Sequence, residues 1–189
     1  MNAHDFLNKH WFMYLKLEDT FLEIEKTIPV DSNNYNTFSY AHMKLLGSIC
    51  NEFNECFRNF TKINGLTYNS INQYKGFINC AFPEFIHTTI IFNKLGCEIQ
   101  WLKPFENWIG YNNPFWWKIN NDIKHHRNNI NEGLEKENYK LANQKCILTA
   151  LSGLFQLNVY FYTVVERNSS FEVLSLPHPL SKIFRFEYQ

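Results

Sequence analysis

The chain has 189 residues, enough for one domain with its own core, and 45% of them are hydrophobic, which excludes a disordered chain. Eighteen basic residues balance eighteen acidic ones, so no global field draws the chain to nucleic acid or to an anionic membrane. Aromatic residues make up 17%, so the core is expected to rest on Phe and Tyr.

The apolar positions Leu17, Phe21, Ile24 and Ile28 follow the helix period and predict a helix over Leu7 to Ile28, begun between Ala3 and Tyr14 and stopped by Pro29. Val30 to Phe38 reads as an Asn-rich loop. Ser39 is placed to cap a second helix running to about Ile63, with Gly65 beyond its end. Its apolar side holds Leu45, Ile49, Phe53, Phe57 and Phe60, while Ser48, Glu52 and Glu55 form a polar line. Ser70 to Phe82 predicts a shorter helix ended by Pro83. The β-branched and aromatic run Phe85 to Phe92, the turn Asn93 to Gly96 and the return Cys97 to Leu102 predict a β-hairpin.

Trp116 to Arg127 is the densest cluster of Trp, Asn, Lys, His and Arg in the chain. It reads as one amphipathic helix, with Asn113 as N-cap and Pro114 in the first turn. At 100° per residue, Trp116, Ile119, Ile123 and Ile130 fall within about 60° of arc, and Asn120, Asn121, Lys124, His125 and Arg127 within a neighbouring arc of about 160°. A last long helix is expected over about Asn138 to Glu166. Ala142, Cys146, Ala150, Gly153 and Leu157 give it a line of small residues that lets another helix approach. Thr149, Ser152, Gln156 and Asn158 interrupt its apolar run Ile147 to Val165, which favours a buried central helix over a membrane span. The tail from Ser169 holds Pro177 and Pro179, then Lys182 to Tyr188, an edge-strand candidate. The expected fold is therefore mainly α: one domain over residues 1–189, a bundle of four to five helices with an inserted β-hairpin.

Cys50, Cys56, Cys80, Cys97 and Cys146 form no CxxC and lie in apolar contexts, which predicts reduced, buried thiols in a cytoplasmic protein. The first residues carry His4, Asp5 and Lys9 rather than a basic region followed by an apolar core, so no signal peptide is expected. There is no HExxH, no zinc-finger spacing, no Gly-rich phosphate loop and no GxSxG. No metal, cofactor or membrane partner is expected.

The candidate site is Asn121, Lys124, His125 and Arg127. Asn121, Lys124 and His125 meet at i, i+3 and i+4. His125, the imidazole of the set, is the candidate acid or base, while Lys124 and Arg127 suit an anion such as phosphate. The competing assignment pairs Lys124 and Arg127 with Glu52 or Glu55 across a helix interface, as a polar network that locks docking. Trp101, Trp108, Trp116 and Trp117 serve either for stacking on exposed bases or for core and rim packing.

Trp116 and Trp117, then Asn121, Lys124, His125 and Arg127, then Ala142, Asn143, Ala150, Leu151, Gly153 and Leu154, resemble a pattern in small bacterial helical proteins. There an aromatic pair precedes a Y-N-x-x-K-H-x-R run; Asn120 stands here at the Tyr position. Asn34, Thr37, Phe38, Ser39 and Tyr40, before a helix carrying Glu52, are similar too. Such proteins look like relatives of the HEPN group, helical domains of toxins and phage-defence proteins. The resemblance implies either a non-catalytic or regulatory domain acting through protein contacts as a homodimer, or a metal-independent ribonuclease with His125 as acid or base and Arg127 and Lys124 on the phosphate. Many HEPN domains use an Arg-x(4–6)-His motif; none of Arg58, Arg127, Arg167 or Arg185 is followed by His at that spacing.

Overall fold

The computed structural model describes residues 1–110, 112–131, 133–167 and 174–187; the expected start of the tail at Ser169 and the expected strand end at Tyr188 lie outside them. The chain is mainly α, 59% helical, with a small three-stranded sheet and a separate strand pair. The first helical rod consists of α1 (Ala3–Phe6), a π-helical turn (Leu7–Trp11) and α2 (Phe12–Glu25). Asn2 caps its start by accepting the Asp5 amide. The π turn holds one extra residue, and it lets the consecutive His10 and Trp11 both face inward.

Ser39 caps α3 (Tyr40–Ile63) by accepting the His42 amide at 3.0 Å, and Gly65 takes φ 75° just past its end, both as the sequence predicts. Ser70 and Gln73 form a reciprocal capping box at the start of α4 (Ile71–Ala81). A 3-10 turn (Pro83–His87) leads into the short strands β1 (Ile90–Phe92) and β2 (Gln100–Leu102). Residues 85–87 thus wind rather than extend, because Pro83 starts a turn whose Phe85 packs inward.

After α5 (Phe115–His126) comes a hairpin of β3 (Ile130–Asn131) and β4 (Lys136–Glu137), which the sequence reading missed. A 3-10 turn (Asn138–Leu141) follows, so α6 (Gln144–Arg167) begins later than Asn138. β5 (Phe184–Phe186) returns the tail to the sheet. It pairs antiparallel with β1 on the side away from β2, giving the order β2-β1-β5. The hairpin therefore supplies the central strand and one edge of the sheet, and the C-terminal segment supplies the other edge.

α6 is the central helix, packed most extensively against α3. It is long and apolar enough to cross a membrane, and 89% of its most apolar window is buried inside the fold. Phe53, Phe57, Phe60 and Phe161 are fully buried in the seam, with Phe60 and Phe161 stacked at 4.9 Å. Each such ring contributes roughly 1.5–3 kcal/mol by leaving water. Phe105 and Trp108 are buried as lids on this core. Gly153 sits where a Cβ would lie 3.2 Å from Pro104, 3.3 Å from Trp116 and 3.4 Å from Phe105. The small-residue line thus admits the 104–105 loop and α5.

Candidate functional site

α5 is set by its N-terminal aromatics. Trp116 is fully buried, donates its indole N–H to the Pro104 carbonyl at 2.9 Å, and meets Phe53 edge-on at 5.0 Å. Trp117 is half-buried against the same Phe53 ring. Trp108 and Trp116 are therefore core, and Trp101 stands exposed on β2. The helix begins one residue later than expected. Pro114 occupies the N-cap position and no side chain caps it, because Asn113 supplies no capping bond. Ile130 is exposed in β3 and does not extend the apolar seam. Asn120, placed by the wheel on the polar face, is 3% exposed, and its amide nitrogen has no partner among the described residues.

The other end of α5 is open. Lys124, His125, His126 and Arg127 are all exposed, and Asn121 is half-buried. Lys124 reaches Asn51 of α3 at 3.3 Å, and Arg127 reaches its neighbour Asn128 at 3.3 Å. Among the described residues none of the four cation-capable groups has a carboxylate partner. The last turn is where such charges belong, since the helix dipole is negative there. Arg127 keeps helical backbone angles, φ −49° and ψ −45°. Lys124 and Arg127 therefore share one side, about 60° apart, while His125 lies about 160° round the helix from Arg127.

The expected polar network takes another form. Glu52 accepts from His10 Nδ1 at 2.8 Å across the interface between the π turn and α3, with side-chain exposures of 12% and 5%. Asn59 closes the group by contacting His10 Nε2 at 3.2 Å. Glu55 pairs within its own helix with Arg58 at 2.6 Å. Neither carboxylate touches Lys124, His125 or Arg127. His10 lies seven residues before Leu17, about 20° from it on the helix wheel, and so extends the apolar face read from Leu17 onward, where a polar residue was not sought.

The 3-10 turn after β4 is strapped to this open end. The Asn138 amide side chain donates to the His126 carbonyl at 2.8 Å, and the Tyr139 N–H donates to the Arg127 carbonyl at 3.2 Å. Tyr139 in turn stacks on Tyr40 with rings nearly parallel, at 6.0 Å and 5°. Phe38 meets both rings edge-on, at 5.5 and 5.2 Å. Tyr40 is 63% exposed. Lys140 lies 5.7 Å over the Tyr139 ring, and Lys145 lies 5.7 Å over Tyr35. An aromatic surface thus continues from the end of α5, with Lys140 paired to Glu137 at 2.6 Å. Sequence reasoning missed it because Tyr40 and Tyr139 lie nearly a hundred residues apart.

No family model matches the chain, and neither a curated protein nor a solved structure shows significant similarity to it. The chemistry open to this site follows from its own residues. Among the described residues no three His, Cys, Asp or Glu side chains converge to hold a metal ion. The cysteines divide: Cys50, Cys56 and Cys146 are buried and Cys97 half-buried, whereas Cys80 is exposed, against the expectation that all are buried. Burial pushes the Cys50, Cys56 and Cys146 thiols up, away from the reactive thiolate.

Proposed function

We propose that this chain is a HEPN-like helical domain that binds single-stranded RNA without cutting it, at the C-terminal end of α5 and the tyrosine pair beside it. The observation that carries the reading is the exposed run Lys124 to Arg127, free of carboxylate partners among the described residues and tied through the Arg127 carbonyl to Tyr139. Lys124 and Arg127 offer donors to phosphate from one side of the helix. Tyr40 offers an exposed ring on which an unpaired base can stack, worth about 1–3 kcal/mol per base in such sites. Duplex RNA hides its bases and gives that ring nothing to stack on. His125 projects away from Arg127, which favours contact over joint acid–base catalysis. The resemblance sets such a domain in phage-defence or toxin-type systems.

The test is fluorescence anisotropy with a labelled single-stranded RNA of about 20 nucleotides and its duplex at ~50 mM salt, repeated at rising salt. The expected result is preference for the single strand. Lys124→Ala with Arg127→Ala should weaken binding by about tenfold or more and flatten the salt slope by about 0.7 per lost phosphate contact. Absence of binding by the folded wild type, or unchanged binding by the double variant, would overturn the reading. RNA incubated with chelator should stay intact; cleavage lost in His125→Ala would replace contact by catalysis.

A further inference from the structure

The three-stranded sheet has two outer edges, and they differ. At the β5 edge the Phe184 N–H is taken by the Ser181 hydroxyl at 2.9 Å, and the segment around Pro177 and Leu180 runs alongside. At the β2 edge the pairing pattern can be worked out from β1. Asn93 N–H donates to the Ile183 carbonyl and Glu187 N–H to the Thr89 carbonyl, so the odd residues of the β1 segment bond toward β5. Hydrogen-bonded pairs recur every second residue, so Ile90 and Phe92 bond toward β2, to Leu102 and Gln100. Trp101 sits opposite Ile91 in a pair that shares no bond, and its N–H and C=O point outward. Ile99 has the same parity, and its backbone groups have no partner among the described residues. The Lys103 carbonyl is already taken by the Glu106 N–H at 3.1 Å.

The side chains at this edge are as open as its backbone. Trp101 is 63% exposed, Ile99 42% and Leu95 99%. Trp101 covers Ile91, which is 8% exposed, and leaves its own outer face to water. Lys103 and Pro104, residues that discourage edge pairing, guard only one end.

We infer that the β2 edge is the contact between two copies of this chain, which pair β2 to β2 antiparallel about a two-fold axis at Gln100. A two-fold normal to the sheet keeps each side chain on its own face, so partners across it must share parity. Centring on Gln100 sets Ile99 of one copy opposite Trp101 of the other, on both sides of the axis. Each such pair exchanges both of its free amide bonds. Centring on Trp101 would oppose Ile99 to Lys103, whose carbonyl is occupied. The edge is short, so the buried area falls below the ~1,200 Å² of a standard interface, and the dimer is weak, with Kd on the order of 10–100 µM. This contact is independent of the RNA reading, since it uses a different surface.

Sedimentation velocity across about 5–500 µM, the range such a Kd requires, tests it. The expected result is a reversible dimer whose Kd rises by about tenfold or more in Trp101→Lys, the loss expected when a buried aromatic anchor is removed, and stays unchanged in Ile130→Lys, an equally exposed position elsewhere. Far-UV circular dichroism and an unchanged monomer sedimentation coefficient check that both variants keep the fold. Amide exchange at Ile99 and Trp101 should slow at the upper concentrations. A monomer at every concentration, a dimer indifferent to Trp101→Lys, or exchange at Ile99 and Trp101 independent of concentration would overturn the inference.

Discussion

Removing the Glu52 carboxylate tests the assignment of the polar network. In Glu52→Ala the His10 ring stays where Phe6 and Phe161 hold it, at centroid distances of 5.9 and 5.6 Å. Its Nδ1 then has no acceptor, and water has little access because the His10 side chain is 5% exposed. A buried polar group left unpaired costs about 1–3 kcal/mol. That is a large part of the roughly 5–15 kcal/mol that holds a domain of this kind together. Glu52→Gln keeps an acceptor oxygen and should cost about 1 kcal/mol or less. His10→Phe with Glu52→Leu removes both partners and suits the aromatic surroundings, so the double variant should be more stable than the sum of the single losses allows. The assay is urea denaturation of the wild type, His10→Phe, Glu52→Leu and the double variant, giving a coupling energy of about 1–3 kcal/mol. Glu52→Ala combined with Lys124→Ala should instead add, because Glu52 and Lys124 share no contact. Additive His10 and Glu52 losses, or coupling between Glu52 and Lys124, would refute the assignment.

His42 is fully enclosed near the start of α3, and burial lowers its pKa from the ordinary 6.5 despite a bond to the Thr37 backbone. Below 6.5 the unfolded chain takes up a proton that the folded chain refuses until its own lower value is reached, so stability is full above 6.5 and falls as the pH drops through that window. The denaturation midpoint should track this slope in the wild type and less so in His42→Gln; equal slopes would count against it. Gly153→Val should lower stability by about 1–3 kcal/mol, since even a Cβ there lies 3.2 Å from Pro104, while Gly153→Ala should stay closer to neutral because it gains helix propensity. A Gly153→Val variant as stable as the wild type would show that the loop yields. In a thiol-labelling time course the native protein should show one fast thiol, Cys80, with Cys97 slower because its Sγ–H donates to Glu25 at 3.0 Å; equal rates at Cys50 or Cys146 would refute the packing of α3 on α6.

The helices were legible because their signals are local. Ser39 and Ser70 cap where they stand, Pro83 stops α4, and the apolar period of α3 points its Phe residues inward. The sheet was legible only in part. Residues 184–186 carry a strand pattern, but their pairing with β1 across more than ninety residues has no local signal. The α5 wheel failed at two positions. Asn120 is buried although it is polar because it follows the buried Trp116 by one turn, about 40° from it, and Ile130 is exposed although it is apolar because the helix ends before it and the β3–β4 hairpin begins. The prediction that all five cysteines are buried failed at Cys80, on the outer side of a short helix that only partly meets α3.

The two carboxylates of α3 show how far residue types constrain a site without geometry. Glu52 and Glu55 were natural partners for Lys124 and Arg127 by charge alone. Their real partners are set by reach: Arg58 is one helical turn from Glu55, and His10 arrives over Glu52 on the π turn. With Glu52 taken by His10, the α5 cations touch no carboxylate among the described residues, and the neutral net charge of the chain does not cancel this local surplus. A surface where Lys124 and Arg127 face water beside the exposed Tyr40 is one that an external anion with stackable rings can fill. The same logic separates the two contact surfaces: the α5 end is rich in donors and suits phosphate, whereas the β2 edge offers donors and acceptors in alternation with Trp101 and Ile99 between them, and suits another strand. Charge reversal at Lys124 should therefore leave self-association intact, and Trp101→Lys should leave RNA affinity unchanged. Loss of both properties in either single variant would mean that the two surfaces act as one.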